Sequence, residues 1–358
     1  MKKVFAALAV VVGFAAIVFF FGQRQIGERL FESRVSAQAG TDRTAGLPDG
    51  LHAYVCGSGS PFPDARRAGP CIAVLAGKRG FIFDVGSGSM RKLGAMAFPF
   101  NRLDAAFLTH LHSDHLDGMG EMMLQAWMAG GRSTPLPVYG PPGTDAVVDG
   151  FIAAYTPDRE YRIAHHGPEV ARPGGFGAQS NIIAFEDAEA EARIVYQADG
   201  VTIRAIPVDH SPVDNALAFR IEYKDRAMVI SGDTVRSAAL AAFADGTDAI
   251  FHDALNSEMV GTIGRTLAER GNTDGAKIMA DIPDYHTSPE DAARVAQDAD
   301  TKLLVLYHLV PAPPTVLLNE AFLGDAEALF QGRLELAEDG MRVSLPASTD
   351  RIEIEQLL

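Results

Sequence analysis

Residues 109–118 read Thr-His-Leu-His-Ser-Asp-His-Leu-Asp-Gly, and their spacing decides how the rest of the 358-residue chain is read. Side chains two apart in an extended segment point the same way, so His110 and His112 can close on one metal ion. Asp114 and His115 then turn away and can reach a second. Imidazole and carboxylate ligands suit Zn2+, and also Fe or Mn. The chain has ten histidines, and three of them fall within these six positions. A solvated polar loop has no need of such a concentration.

One cluster cannot fill two coordination shells, so further ligands are expected at strand ends downstream. His210 closes the apolar stretch IRAIPVD, Asp233 follows AMVISG, and His308 follows LLVLY. Asp233 has two oxygens and could bridge the ions, which two-metal chemistry needs about 3.5–4 Å apart.

Working outward, short runs rich in β-branched and aromatic residues read as strands: LHAYVCGSGS, CIAVLAG, RGFIFDVGSGS and AAFLTH before the cluster, then PVYG. Further strands are RIVYQADGVTIRAIPVDH, LAFRIEY, RAMVISGDT, DAIFHDA, LLVLYHL and the segment 333–358. Helices are expected at DGMGEMMLQAWMAGG, GTDAVVDGFIAAY, SAALAAFADG and SPEDAARVAQDA. The last carries Ser288 before Pro289, a good helix start. Residues 161–179 hold several Gly and Pro and read as a long loop or insert that would supply the pocket walls, with His165 and His166 among them. Strand and helix runs in this order predict an α/β protein with sheets packed between helical layers.

The first residues bear on address. Lys2 and Lys3 precede an uncharged apolar run over residues 4–21. Eighteen helical residues reach about 27 Å, close to the roughly 30 Å of a bilayer core. Residues 1–38 are therefore expected to be an inner-membrane anchor or a cleaved signal, the cleavage pattern Ala37-Gln38-Ala39 lying well past the run; a buried helix is the third option. Either export route puts the catalytic part in the periplasm. Residues 39–50 read as a linker and 51–358 as the catalytic domain. Cys56 and Cys71 fall on neighbouring strands of an exported domain, compatible with a disulfide or with two free thiols. Oligomeric state is open, and a homodimer is compatible with such a chain.

The formal charge is −15. An acidic surface repels polyanions, so nucleic acid is expected to be an unfavourable partner and a small-molecule ester the substrate.

The segments THLHSDHLDG, VDHSPVDNALAFRI, SGDT and LYHL resemble the metallo-β-lactamase-fold hydrolases over most of residues 51–311. The resemblance implies an αββα sandwich of two mixed sheets flanked by helices, with a dinuclear, zinc-type site at one edge. It implies that His110, His112 and His210 hold one ion and that Asp114, His115 and His308 hold the other, with Asp233 between them. Asp84, in FIFDVG, would be structural. VCGSGSPFPDARRAG, FHDA at His252 and YHTSPEDAA at His286 resemble the ribonuclease Z and type II arylsulfatase subgroup. That group carries a Glu where this chain has Asp253, which puts Asp253's partnership with His286 in question. The bridging Asp233 argues against antibiotic hydrolysis, because true zinc β-lactamases lack it.

The resulting expectation is a metal-dependent hydrolase in which metal-bound hydroxide attacks a phosphodiester or sulfate ester. Asp114 would take the proton and His286 would protonate the leaving group. The alternatives are a ribonuclease Z-like RNA endonuclease, a lactonase, an iron-containing redox enzyme, or a metal-stabilised binding module. Ribonuclease Z enzymes carry a basic arm for tRNA, and no matching Lys-rich Gly-Pro segment is seen. His252 is expected to hydrogen-bond behind the ligands. His52 and Trp127 read as structural, and Tyr155, Tyr161 and Arg162 as ordinary surface or packing residues.

Overall fold

The computed structural model describes residues 2–187 and 191–358. Within its first helix, the side chains of residues 2, 3, 6–12, 14–18, 21 and 38 lie outside the description. The chain divides into two compact units, Met1–Gly46 and Leu47–Leu358.

The first unit contains helix α1 (Lys2–Gln38). Most side chains of the 4–21 run fall outside the described residues, and the anchor or signal reading lies there with them. Among the described residues no helix is long and apolar enough to cross a membrane, so the membrane and signal readings gain no support.

The second unit is a two-sheet sandwich. The first sheet takes strands β1 (Gly50–Gly57), β2 (Cys71–Ala76), β3 (Arg79–Phe83), β4 (Leu103–Phe107), β5 (Leu136–Gly140) and β6 (Ala178–Ile182). The second takes β7 (Arg193–Ala198), β8 (Val201–Pro207), β9 (Leu217–Tyr223), β10 (Arg226–Ile230), β11 (Ala249–Leu255), β12 (Leu303–Val310) and β13 (Arg333–Leu336). The chain then returns to the first sheet with β14 (Met341–Pro346) and β15 (Glu353–Gln356). Among the described residues the orders are β15-β14-β1-β2-β3-β4-β5-β6 and β13-β12-β11-β10-β9-β8-β7. Both sheets mix parallel and antiparallel pairs.

Alternation along the strands builds three layers of packing. Phe81 and Phe83 of β3 turn inward to meet Phe219 and Phe251 between the sheets. Ile82, between them, turns outward to the cluster that holds Met119, Met122 and Leu93. Those outward residues are covered by α2 (Ser89–Ala95), α3 (Met119–Met128) and α4 (Thr144–His166). The outer face of the second sheet, with Val229 and Leu304, meets Leu240 and Val295. These come from α5 (Ala238–Phe243) and α8 (Pro289–Asp298). The arrangement is the expected αββα sandwich. Ser288 caps α8 as read from the sequence, its Oγ accepting from the Asp291 N–H at 3.1 Å.

One expectation needs correction. Residues 161–179 are irregular only in their middle, because α4 runs on to His166 with Pro157 inside it and β6 starts at Ala178. A proline costs one intrahelical hydrogen bond, and here the helix continues regardless before ending at Gly167 in positive φ. Beyond the expected elements, the segment after β11 folds into the helical pair α6 (Ser257–Glu269) and α7 (Thr273–Asp281). Asn256 and Asn272 cap the pair, each side chain accepting a backbone N–H three residues on.

Cys56 and Cys71 form a disulfide across the β1–β2 pair. Cys71 is paired in register with Gly57, the neighbour of Cys56, and this brings the two sulfurs together.

Candidate metal centre

Strand ends place the site. The loop after β4 carries His110 and His112, and a 3-10 turn at Ser113–His115 carries Asp114 and His115. His210 follows β8, Asp233 follows β10, and His308 lies within β12. The register of β11 against β12 shows how His308 gets there: Asp253 pairs with Tyr307 and Ala254 pairs with Leu309. His308 is therefore the extra residue of a β-bulge, with a left-handed φ of 48°. Bulges of this kind re-aim a side chain at the price of local strain. Gly232 has φ 62°, and a Cβ there would meet Leu217 O at 2.7 Å and the Thr109 Cβ at 2.9 Å. The turn that delivers Asp233 therefore requires glycine.

The seven expected ligands converge. The ligand atoms of His110, His112, His210 and Asp233 lie within 4.8 Å of one another, and so do those of Asp114, His115 and His308. Asp233 Oδ2 is the shared point. It stands 3.8 Å from His110 Nε2 and 3.9 Å from His210 Nε2 on one side. On the other it stands 3.3 Å from His115 Nε2 and 3.2 Å from His308 Nε2. Asp114 Oδ2 lies 3.2 Å from His308 Nε2.

The residues behind the ligands fix their orientation. Asp84, at a positive φ of 55°, accepts from the Thr109 N–H and Thr109 Oγ1, both at 2.8 Å. Its Oδ2 lies 2.9 Å from His115 Nδ1. That pairing leaves Nε2 of His115 to face Asp233. His210 Nδ1 donates to the Tyr285 carbonyl at 2.8 Å. His286 Nδ1 meets Asp253 Oδ2 at 3.0 Å, so Asp253 does partner His286 although it is shorter than Glu. His252 Nδ1 donates to the Asp253 backbone carbonyl at 2.9 Å and lies 3.0 Å from Asp253 Oδ1, which places it behind the ligands.

Burial drives the His110, His112 and His210 imidazoles below their ordinary pKa, keeping them neutral and ready to donate a lone pair. For His115 and His308 burial pulls the same way, but the Asp233 carboxylate outweighs it and both are raised. Burial also opposes the charged form of Asp233, yet the neighbouring His308 and His115 hold its carboxyl well below the usual range.

The donor set fits divalent cations. His115 Nε2 and Asp233 Oδ1 are buried without a hydrogen-bond partner, and buried polar atoms rarely stay unpaired. Five imidazoles and two carboxylates facing one another form two adjoining pockets of lone pairs.

A cavity of about 310 Å3 opens onto the cluster. His112, Asp114, Asp233, His286 and His308 form its polar side. Phe62, Ile278, Ile282, Tyr285 and Val310 form an apolar side. These walls come from the β1–β2 loop, α7 and the turn that follows it, not from residues 161–179. His165 and His166 are exposed at the end of α4 and line no cavity described here. Tyr155 packs over Gly120, Arg162 pairs with Asp158 at 2.7 Å, and Tyr161 is exposed. His52 is structural, with Nδ1 2.9 Å from Ser344 Oγ and Nε2 2.8 Å from the Pro48 carbonyl. Trp127 is buried and donates to the Arg172 carbonyl at 2.7 Å.

Fold and site together define a metallo-β-lactamase-fold, metal-dependent hydrolase acting on ester bonds. The model of the β-lactamase superfamily domain matches residues 82–309. Within that class, the chain belongs to the ribonuclease Z family. It is 37% identical over 297 residues to ribonuclease Z of Mycobacterium sp. (strain KMS), covering 82% of this chain and 96% of the relative. Two solved structures share the fold. Human tRNase Z, short form, matches with TM-score 0.58 at 18% identity, over 82% of this chain and 99% of that one. The metallo-β-lactamase fold protein YhfI from Bacillus subtilis matches with TM-score 0.57 at 21% identity, over 83% and 100%. The ribonuclease Z relatives overturn the expectation of a small-molecule ester substrate with nucleic acid as an unfavourable partner. The physical error was to let net charge speak for the site. The whole-surface value of −15 does not describe a cavity whose acids face metal-ligating nitrogens, and bound cations invert the local field.

Proposed function

We propose that this protein is a zinc-dependent phosphodiester hydrolase that cuts RNA, in the manner its ribonuclease Z relatives' name indicates. The observation that carries the reading is the pair of ligand clusters sharing Asp233 Oδ2, with His286 held by Asp253 on the same cavity wall. His110, His112 and His210 would hold one ion, Asp114, His115 and His308 the other, and Asp233 both. When bound, the ions supply Lewis acidity to a phosphoryl oxygen and lower the pKa of water towards neutrality.

The chain's own groups handle the protons. Asp114 is only partly buried and faces the cavity, so its carboxylate is placed to accept the proton of the attacking water. As the new P–O bond forms, the bond to the leaving oxygen breaks, and His286 donates the proton that oxygen needs. Asp253 keeps His286 aimed.

The test is cleavage of a structured, tRNA-like RNA carrying a 3′ extension by the zinc-loaded protein. Asp114→Ala is expected to lower kcat by at least about 100-fold, within the usual range for removing a general base. An intact RNA after incubation with the metal-loaded wild type would overturn the reading. For the address we propose an oxidising compartment, supported by the Cys56–Cys71 bond. Alkylation of both cysteines in intact cells without added reductant would count against it.

A further inference from the structure

The cavity is lopsided in a way that phosphate chemistry does not require. A scissile phosphate uses the polar side, and has no use for the apolar side. Ile282 and Val310 of that wall are packed into a small separate core with Leu255, Val260 and Met279. Phe62 and Tyr285 pack against the same core. The wall is thus a supported surface and not a chance gap between loops.

Tyr285 occupies its central place. Its carbonyl holds His210 at 2.8 Å. Its ring centroid lies 5.2 Å from that of His210 and 5.0 Å from that of His286. It also lines a second cavity, of about 460 Å3, together with His112 and His210. Asp284 stands on that far side, where a carboxylate repels a phosphate, and Asp281 beside it is paired with Lys277. A flat neutral ring suits the space beside Tyr285, and a backbone phosphate does not.

We propose that Tyr285 and Phe62 form a nucleobase subsite, in which the unpaired base of a nucleotide flanking the scissile phosphate stacks on Tyr285 and is backed by Phe62. The inference rests on the RNA reading above and names which part of the RNA the site grips. At about 310 Å3 the cavity is at the small end of ligand pockets, which run from ~300 to 1,000 Å3. It admits one splayed nucleotide and not a duplex. Base–aromatic stacking tolerates every base because each has a π-face.

The experiment compares kcat/KM of the zinc-loaded full chain on three RNAs. One is complete, and two carry an abasic site on the 5′ or the 3′ side of the cut. The wild type is expected to favour the complete RNA about tenfold or more over one abasic RNA, within the range that alanine substitution gives for a stacked base. Tyr285→Ala is expected to bring that ratio to about one, and Tyr285→Phe to restore it. Phe62→Ala is expected to reduce it in part. Equal cleavage of all three RNAs by the wild type overturns the subsite and leaves the RNA reading standing. So does Tyr285→Ala lowering kcat/KM equally on every RNA, because a merely structural role through His210 and His286 would do that. Cleavage of none by the wild type overturns the RNA reading, and the subsite with it.

Discussion

Asp84→Asn is nearly isosteric, removes one negative charge and replaces one acceptor oxygen by a donor NH2. In the native site the Asp84 carboxylate accepts from Thr109 N–H, Thr109 Oγ1 and, at 2.9 Å, the Nδ1–H of His115. That last bond fixes the tautomer: with the proton on Nδ1, the Nε2 lone pair points toward Asp233 Oδ2, 3.3 Å away. An amide can keep the Thr109 N–H bond through its oxygen, but its NH2 then faces Nδ1. Two donors would meet, so His115 moves its proton to Nε2, where a metal should bind. Loss of such a supporting partner commonly costs 10- to 100-fold in metal affinity, about 1.4–2.7 kcal/mol. The burden should fall on the ion held by Asp114, His115 and His308, and spare that held by His110, His112 and His210. Competition against a zinc chelator, with bound zinc counted per chain, reads this directly. Expected is one site of native affinity and one weakened by that factor, with unchanged circular dichroism. Two sites of native affinity in a folded Asp84→Asn protein would refute the tautomer argument, as would equal weakening of both.

Gly232→Ala places a Cβ 2.7 Å from Leu217 O at a left-handed φ, so a loss of about 2 kcal/mol or more is expected, read as a lowered Tm and reduced zinc content. Cys56 and Cys71 are 15 residues apart, and a loop of that size predicts a loss of about 3 kcal/mol when both are replaced by Ala; urea unfolding measures it. In the metal-free protein, His115 and His308 have raised pKa values, so their contribution to stability is complete below about 6.5 and is lost as pH rises through the raised values. The lowered pKa values of His110, His112 and His210 act in the opposite window, costing stability only as pH falls through about 6.5. Urea midpoints of the metal-free protein should therefore fall on going from pH 7 to pH 9 relative to the zinc-loaded protein, where metal has displaced those protons.

The metal cluster was legible because its ligands share a local signal, a polar residue ending or interrupting an apolar run. The sandwich was legible because strand alternation is written two residues at a time. The cavity walls were not. Ile278 sits on α7 and Ile282 in the turn after it; α6 and α7 add only Val260 and Met279 to a small core shared with β11 and β12, and look from sequence like an ordinary polar stretch. Asn256 and Asn272 were the available signals, as helix-starting residues ahead of Val260 and Met279. Residues 161–179 misled in part, since α4 takes the first six of them, through His166, and only the Gly- and Pro-containing stretch before β6 is irregular. Asp253 could not be judged from identity alone. Whether Asp reaches as far as Glu depends on how near β11 comes to the turn carrying His286, and that distance is a property of the assembled fold.

The bulge at His308 carries one more consequence. A strand that contributes a ligand by holding one residue too many is a counting device: the site exists only while β12 keeps that surplus against β11. Removing a single residue between Leu303 and Tyr307 would restore perfect pairing, satisfy the sheet, and turn the imidazole toward the wrong layer. A gain in regularity would thus empty one half of the metal centre. The length of this strand is under the same chemical constraint as the identity of the histidine it carries, and a substitution scan that keeps every length fixed would never detect it.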